Sequence, residues 1–363
     1  MRSAAAEILL NAAILGPCLW VNRFTLNLKI FRWIFTIFWL FNFSAAILGV
    51  LQARYPGSFE PKISTLILER EHAVDTYSIE LDTGEKTWRP FGFSDVPGGA
   101  AASGVLAVLF SINALLSDRS RYYSKILAVM SILAGISCIF LCQIRSSLIV
   151  TAVGVLILSS FYGMRGDWKR SIILLGTMTI TAIMGYITAT SMASEAVSRR
   201  FSTLVESDSS DLYYKSRGVF LEHAFTGLAD FPLGAGLGRS GMMNAYFGDN
   251  SSEYTGSLWA ELQWESWLYD GGLPLMVLYF GLILRTLFYC YKIATSKDHP
   301  EFNGYASVLF AWTFAIISNT FSYSVFLSQT GLEFWFIISC FVATVDSETH
   351  SEGREYSPLE PVQ

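Results

Sequence analysis

Long apolar runs separated by short polar connections set the rhythm of this chain. Windows of about 18 or more mainly apolar residues recur along it, enough for a helix to cross the hydrocarbon core of a bilayer. By length and hydropathy they predict about nine spanning helices, at 4–22, 30–52, 97–117, 126–143, 147–163, 171–192, 271–293, 303–321 and 328–345. Glu7 and Asn11 interrupt the first of these. It lacks a strong basic leader and an A-x-A cleavage site, so it is read as a membrane helix and not as a signal peptide. Two polar segments, 53–96 and 193–257, are far longer than the other connections. The expected fold is all-α and polytopic. A membrane domain covers 1–345, with the larger loop ahead of the last three helices, and a polar tail over 346–363 is expected to be disordered.

Composition agrees with a membrane protein: 52% of the 363 residues are hydrophobic and only 15% charged. The net charge of -5 is modest and carries no nucleic-acid signal. Cys18, Cys138, Cys142, Cys290 and Cys340 all fall in apolar runs, which indicates no disulfide framework. Charge matters more for orientation. Arg23, Lys29 and Arg32 precede the second span; Arg119, Arg121 and Lys125 share one short connection, and Arg165, Lys169 and Arg170 another. The positive-inside rule puts these three connections in the cytoplasm. Both long loops then lie outside, and so does the very short turn at Arg145. No internal repeat points to an inverted-repeat transporter.

That turn holds the first candidate chemistry. In "FLCQIRSSLIV", Phe140 to Val150, one arginine stands between two apolar runs. A guanidinium keeps its charge in a protein, so Arg145 cannot hide by neutralising. It is either a loop arginine snorkelling to the headgroups or a group held at that depth to grip a phosphate oxyanion. In the larger outer loop, Leu212 to Leu228 carries apolar residues at helical spacing ahead of a Pro-Gly break at 232–236. Asp208, Ser209, Ser210 and Asp211 offer N-caps, Arg217 falls early in the helix and His223 later. A short amphipathic helix at the membrane surface suits the pattern. A solvated face accounts for Lys215 and Arg217 equally well, as a surface position does for His223. "GLGRSG", Gly236 to Gly241, formally fits G-x-G-x-x-G, but no strand leads into it. It reads instead as a tight glycine turn where backbones pack closely. Farther on, "ELQWESWLYDGGLPL" places Glu261 and Glu265 four apart, on one helix face, among Trp259, Trp264, Trp267 and Tyr269. Gly271, Gly272 and Pro274 then break the helix. The two carboxylates are either a solvent-facing helix end or a pair available for chemistry.

The order of these features resembles the bacterial O-antigen ligase and Wzy-type polysaccharide polymerase superfamily, from about Ile47 to Leu284. The resemblance is carried by "AILGVLQARYP", "RPFGFSDVPGGAA", "QIRSSLIV", "SRGVFLEHAFTGLADFPLGAGLG" and "ELQWESWLYDGGLPL", in that order. It implies a glycosyl transfer at the periplasmic face of the inner membrane, from an undecaprenyl-pyrophosphate-linked oligosaccharide to an acceptor sugar hydroxyl. Arg145 and Arg217, with Arg89 as a third, would bind the pyrophosphate. Glu261 or Glu265 would act as base, and Gly234, Gly236 and Gly272 would form structural turns. No metal, nucleotide or other cofactor is implied. The implied partners are the lipid-linked donor, the bilayer, and a chain-length regulator and flippase of the same pathway; no nucleic acid is among them. Ligases carry a histidine where Glu261 stands, and Asn, Ser or Gln where Leu262 stands, so this chain is closer to a polymerase of repeat units. Relatives usually have further spans ahead of the first one here. Three alternatives stay open: a ligase that transfers glycan to lipid A-core, a transporter or flippase, and a non-enzymatic export component. Against a transporter, the spans are not broken at the midplane by paired Gly and Pro interruptions, and the charges gather at one face.

Overall fold

The computed structural model describes residues 2–62, 78–80, 86–94, 96–117, 121–192, 197–198, 201–202, 213–247, 260 and 262–355. Each predicted span corresponds to a helix: α1 (Arg2–Trp20), α2 (Leu28–Arg54), α3 (Gly99–Leu116), α4 (Tyr122–Leu141), α5 (Arg145–Met164) and α6 (Trp168–Met192). A π-helical turn, Tyr214–Gly218, then leads into α7 (Val219–Thr226), and α8 (Gly241–Phe247) follows. The last three are α9 (Gln263–Thr295), α10 (Asn303–Asn319) and α11 (Gln329–Glu355). Among the described residues, eight helices are long and apolar enough to cross a bilayer. The segment predicted at 303–321 is α10, a largely buried helix of 17 residues. The chain is thus a multi-pass α-helical membrane protein. Within 53–96, two short strands, β1 (Ser78–Glu80) and β2 (Lys86–Trp88), pair antiparallel with Ile79 opposite Thr87.

Two boundaries differ from expectation. The final helix runs on to Glu355, past the predicted end of its span at 345, and 356–363 lie outside the described residues. The span predicted at 271–293 begins at Gln263, because the Gly-Gly-x-Pro break is absorbed as a kink. Gly272 there has φ 62° and ψ -152°, a conformation open essentially to glycine alone. The kink severs the helical bond that Leu273 N would make to the Tyr269 carbonyl. Leu273 N donates to Pro232 O at 3.0 Å instead. The freed Tyr269 carbonyl accepts Ala235 N at 2.7 Å and Gly236 N at 3.0 Å. The glycine-rich turn of 232–238 is therefore plugged into a helix break, and its backbone replaces the lost partners.

Helices alternate in direction, so the long polar segments leave from one end of the bundle, the loop end. The short basic connections share the other. At that other end Arg165 caps α9 and ties it to the start of α10: its Nε donates to Ala294 O at 3.0 Å and its Nη2 to Asn303 O at 2.9 Å. Its guanidinium also lies over the Phe161 and Tyr162 rings. Burial pushes its proton affinity down, but a guanidinium stays charged. The residues that interrupt the first span turn inward. Glu7 is buried and accepts Asn11 Nδ2 at 3.0 Å, while Asn11 Oδ1 accepts the Tyr279 hydroxyl of α9 at 3.3 Å. Polar groups in a span are tolerated when they are paired inside the bundle in this way.

Lipid tails are as apolar as leucine, so burial of apolar surface does little to hold these helices together; close packing and internal hydrogen bonds do. One close approach among the spans is between α3 and α4, where two glycines face each other. A Cβ on Gly104 would lie 2.8 Å from Gly135 O, and one on Gly135 would lie 2.7 Å from Gly104 O. Nearer the basic end than this contact, Trp39 Nε1 of α2 donates to Ser111 Oγ at 2.9 Å and Ser131 Oγ at 3.0 Å, tying three helices together. Gly135→Ala is expected to push α3 and α4 apart and to lower the melting temperature of the detergent-solubilised protein by several degrees. Gly176→Ala, where a Cβ meets nothing within 4 Å, should leave it unchanged or slightly raised. Scanning fluorimetry of the two variants side by side checks this.

Candidate functional site

The turn between α4 and α5 is the tightest reversal at the loop end. Cys142 N returns to Cys138 O at 2.8 Å and Gln143 N to Phe140 O at 3.0 Å. Gln143 is forced to φ 54°, rare for a residue with a side chain. Ile144 is then the N-cap of α5 and offers no side-chain acceptor, so the first N–H groups of α5 are left without a cap. Arg145 is the first helical residue. Its Nε is buried with no hydrogen-bond partner among the described residues, and so is Gln143 Nε2. Gln143 as a whole is only 6% exposed. A cation at a helix N-terminus opposes the helix dipole. The turn therefore collects donors and positive charge, with two buried donor atoms that meet no acceptor among the described residues, which is the electrostatic outline of an anion site.

Arg89 is brought to the same place. The loop that carries it folds back on Pro90, whose carbonyl accepts Gly98 N at 3.0 Å. Gly98 caps α3 with φ 91°, and a Cβ there would lie 2.9 Å from Ile144 Cδ1 and 3.7 Å from Arg89 Cδ. Glycine is required at this point because the stems of residues 89 and 144 close over it. The loop is fixed from below by Gln52 of α2. Its Oε1 accepts Phe91 N at 2.8 Å and Gly92 N at 2.9 Å, and its Nε2 donates to Phe59 O at 2.8 Å.

Arg217 is positioned by other elements. It lies in the π-helical turn ahead of α7, a rare geometry often found at functional sites. Its charge acts on Tyr213, whose phenol burial pushes up and Arg217 pulls back. The Tyr213 hydroxyl donates to Phe321 O at 3.2 Å, tying this turn to the α10–α11 connection. His223 is exposed on α7. The N-cap candidates 208–211 lie outside the described residues.

The acidic helix begins against that same connection. Gln263 N donates to Thr320 O at 3.3 Å, and Gln263 Oε1 accepts Phe326 N at 2.8 Å. Glu265 is 1% exposed, and its Oε2 accepts Leu262 N at 3.2 Å, so it caps the start of α9. Glu261 and Trp259 lie outside the described residues. Trp264 packs on Phe225 and Phe321, and Trp267 stacks on Tyr279 with 5.2 Å between centroids. Of the glycines, Gly234 and Gly272 are in backbone contact with the opposing strand of the plug. A Cβ on Gly234 would lie 2.7 Å from Gly271 N, and one on Gly272 would lie 2.3 Å from Pro232 O. Gly236 has φ 113° and donates to Tyr269 O.

The structure thus joins Arg89 to the Arg145 turn and places Arg217 with the start of α9. Sequence reasoning did not single out Gln143 as a donor or Gln52 as the support of the Arg89 loop. Both carried a signal, since each is an uncharged polar residue at the loop end of an apolar run. No family model, curated protein or solved structure matches this chain. The functional reading therefore rests on the geometry and on the motifs themselves.

Proposed function

We propose that this protein is a metal-independent glycosyltransferase of the bacterial inner membrane. It moves a glycan from undecaprenyl pyrophosphate to an acceptor sugar hydroxyl at the periplasmic face, polymerising repeat units of a surface polysaccharide. The observation that carries the proposal is the Arg145 turn, where the buried Arg145 Nε and Gln143 Nε2 meet no acceptor among the described residues beside an uncapped helix start, with Arg89 at its edge. In the reaction the acceptor oxygen bonds to the anomeric carbon while the bond from that carbon to the phosphate oxygen breaks. The pyrophosphate leaves with the electron pair, and the hydroxyl proton passes to a carboxylate, Glu261 or Glu265. Charge grows on the pyrophosphate as the bond breaks. Guanidinium and amide donors already in place stabilise it without reorganising. Resemblance to the O-antigen ligase and Wzy-type polymerase superfamily points the same way. Glu261 at the position of the ligase histidine favours the polymerase within it.

The test is transfer by the purified protein in nanodiscs supplied with lipid-linked oligosaccharide. Chain growth without ATP or an ion gradient supports the polymerase, and single transfer to lipid A-core supports the ligase. Glycolipid translocation without any new glycosidic bond overturns both. Orientation is a separate prediction. A cysteine at Ser58 should react with a membrane-impermeant maleimide on spheroplasts, and one at Lys297 only after the membrane is opened. Both side chains are exposed, at opposite ends of the bundle. The reverse pattern would turn the Arg145 site toward the cytoplasm, where the proposed reaction has no place.

A further inference from the structure

The outer half of the bundle carries a groove of about 230 Å³ on its membrane-facing side. Its floor is α4, through Ala134 and Ser137; α2 forms one wall through Ile47, Val50 and Leu51, and α6 the other through Thr188. It exists because α6 closes onto α4 at Gly185, where a Cβ would lie 2.5 Å from Ile136 Cγ2, while α2 closes onto α4 at Gly49, where a Cβ would lie 2.7 Å from Cys138 Sγ. Between these two contacts the walls diverge. The lining is apolar in effect, since the Thr188 hydroxyl turns back to Met184 O at 2.8 Å. A dry apolar cavity of about 150 Å³ takes up a benzene ring, so this groove has room for roughly two branched five-carbon units.

Its upper end leads to the arginines. Val50 and Ala134, which line the groove, pack in the same apolar cluster as Ile144, the residue before Arg145. The Cβ position of Gly49 lies 3.7 Å from Pro90 Cβ, beside Arg89. Ser137 is about 9 Å below Gln143 at the helical rise of 1.5 Å per residue. Groove and anion site are thus neighbours packed on one shared apolar cluster, the groove apolar and the turn above it cationic. We infer that the α2–α4–α6 groove binds the polyprenyl chain of the donor lipid close to its pyrophosphate, so that the chain is held while Arg89 and Arg145 hold the head. This rests on the donor proposed above. It commits to the polyprenyl carrier and not to a bilayer phospholipid, because only the carrier presents a pyrophosphate to the cationic end.

Two measurements test it. In the first, the wild-type protein is irradiated with polyprenyl pyrophosphate carrying a diazirine near its head, and the crosslinks are mapped by peptide mass spectrometry. Crosslinks on 47–51, 134–137 and 188 that unlabelled undecaprenyl pyrophosphate removes and phosphatidylglycerol does not are the expected result. Crosslinks elsewhere only, or equal competition by phosphatidylglycerol, would overturn the groove assignment. In the second, Ala134→Phe fills the groove. The KM for the long-chain donor should rise about tenfold with kcat little changed. The KM for a donor bearing a single five-carbon unit, too short to reach the groove, should stay put. Equal effects on both donors, or none, would overturn the inference. A variant that melts well below wild type is replaced by Thr188→Phe, which fills the groove from the opposite, less buried wall. If the wild-type protein transfers glycan from neither donor, the proposed reaction falls, and the crosslinking map still decides the groove on its own.

Discussion

Arg145→Ala is expected to lower single-turnover glycan transfer by about 10²–10³-fold, the usual cost of removing one preorganised donor from developing negative charge. Insertion and melting temperature should stay near wild type, because the Arg145 Nε has no hydrogen-bond partner among the described residues that its loss would strand. Arg145→Lys keeps the charge but loses the planar fork that fits two phosphate oxygens. It should fall between the two, about tenfold down. Gln143→Gly separates the amide from the turn that carries it. Glycine suits φ 54°, so the turn should be as stable or more so, while transfer slows because a donor is gone. Rates are read at matched amounts of inserted protein, so that lost chemistry is not confused with lost folding. Wild-type transfer in Arg145→Ala would make Arg145 a snorkelling residue and remove the main support for the proposed reaction.

The spans were legible because a bilayer leaves the chain few choices. Backbone polar groups must be satisfied within each segment, so length and hydropathy nearly determine where helices lie. Their ends were less so. The predicted start at 271 took the Gly-Gly-x-Pro sequence as a stop. The helix continues through it because 232–236 supplies the missing partners from far along the chain. A contact of that separation leaves no local periodic trace. The same applies within the candidate site. Arg145 stood out as a charge in an apolar run, whereas the approach of Arg89 to the Arg145 turn depends on Gly98 and on Gln52, which braces the loop from another helix. Glu7 and Asn11 looked like flaws in a weak span and are instead the polar contact between α1 and α9. In each case the residue type was visible and its partner was not.

Glu261→Gln is expected to reduce turnover by about 10²–10⁴-fold, the range for loss of a general base, while donor binding is retained. Glutamine still accepts a hydrogen bond but cannot take the hydroxyl proton at neutral pH. The paired substitution at Glu265 reads differently, because that carboxylate is enclosed and already accepts Leu262 N at the start of α9. Glu265→Gln keeps an acceptor for that N–H and should leave stability almost intact. Glu265→Ala removes the cap and should cost about 1 kcal/mol. A structural Glu265 therefore shows as a fall in melting temperature in the alanine variant with little change in the glutamine one, and as near-normal turnover in both when assayed well below melting. A base shows as lost turnover in the glutamine variant at unchanged stability. The enclosure of Glu265 favours the first outcome for it and leaves the proton to Glu261. Should Glu265→Gln alone abolish turnover, the roles exchange, and α9 must open at its first turn to admit the acceptor. Should neither glutamine variant slow the reaction, proton removal is not limiting, and departure of the pyrophosphate against Arg89 and Arg145 sets the rate.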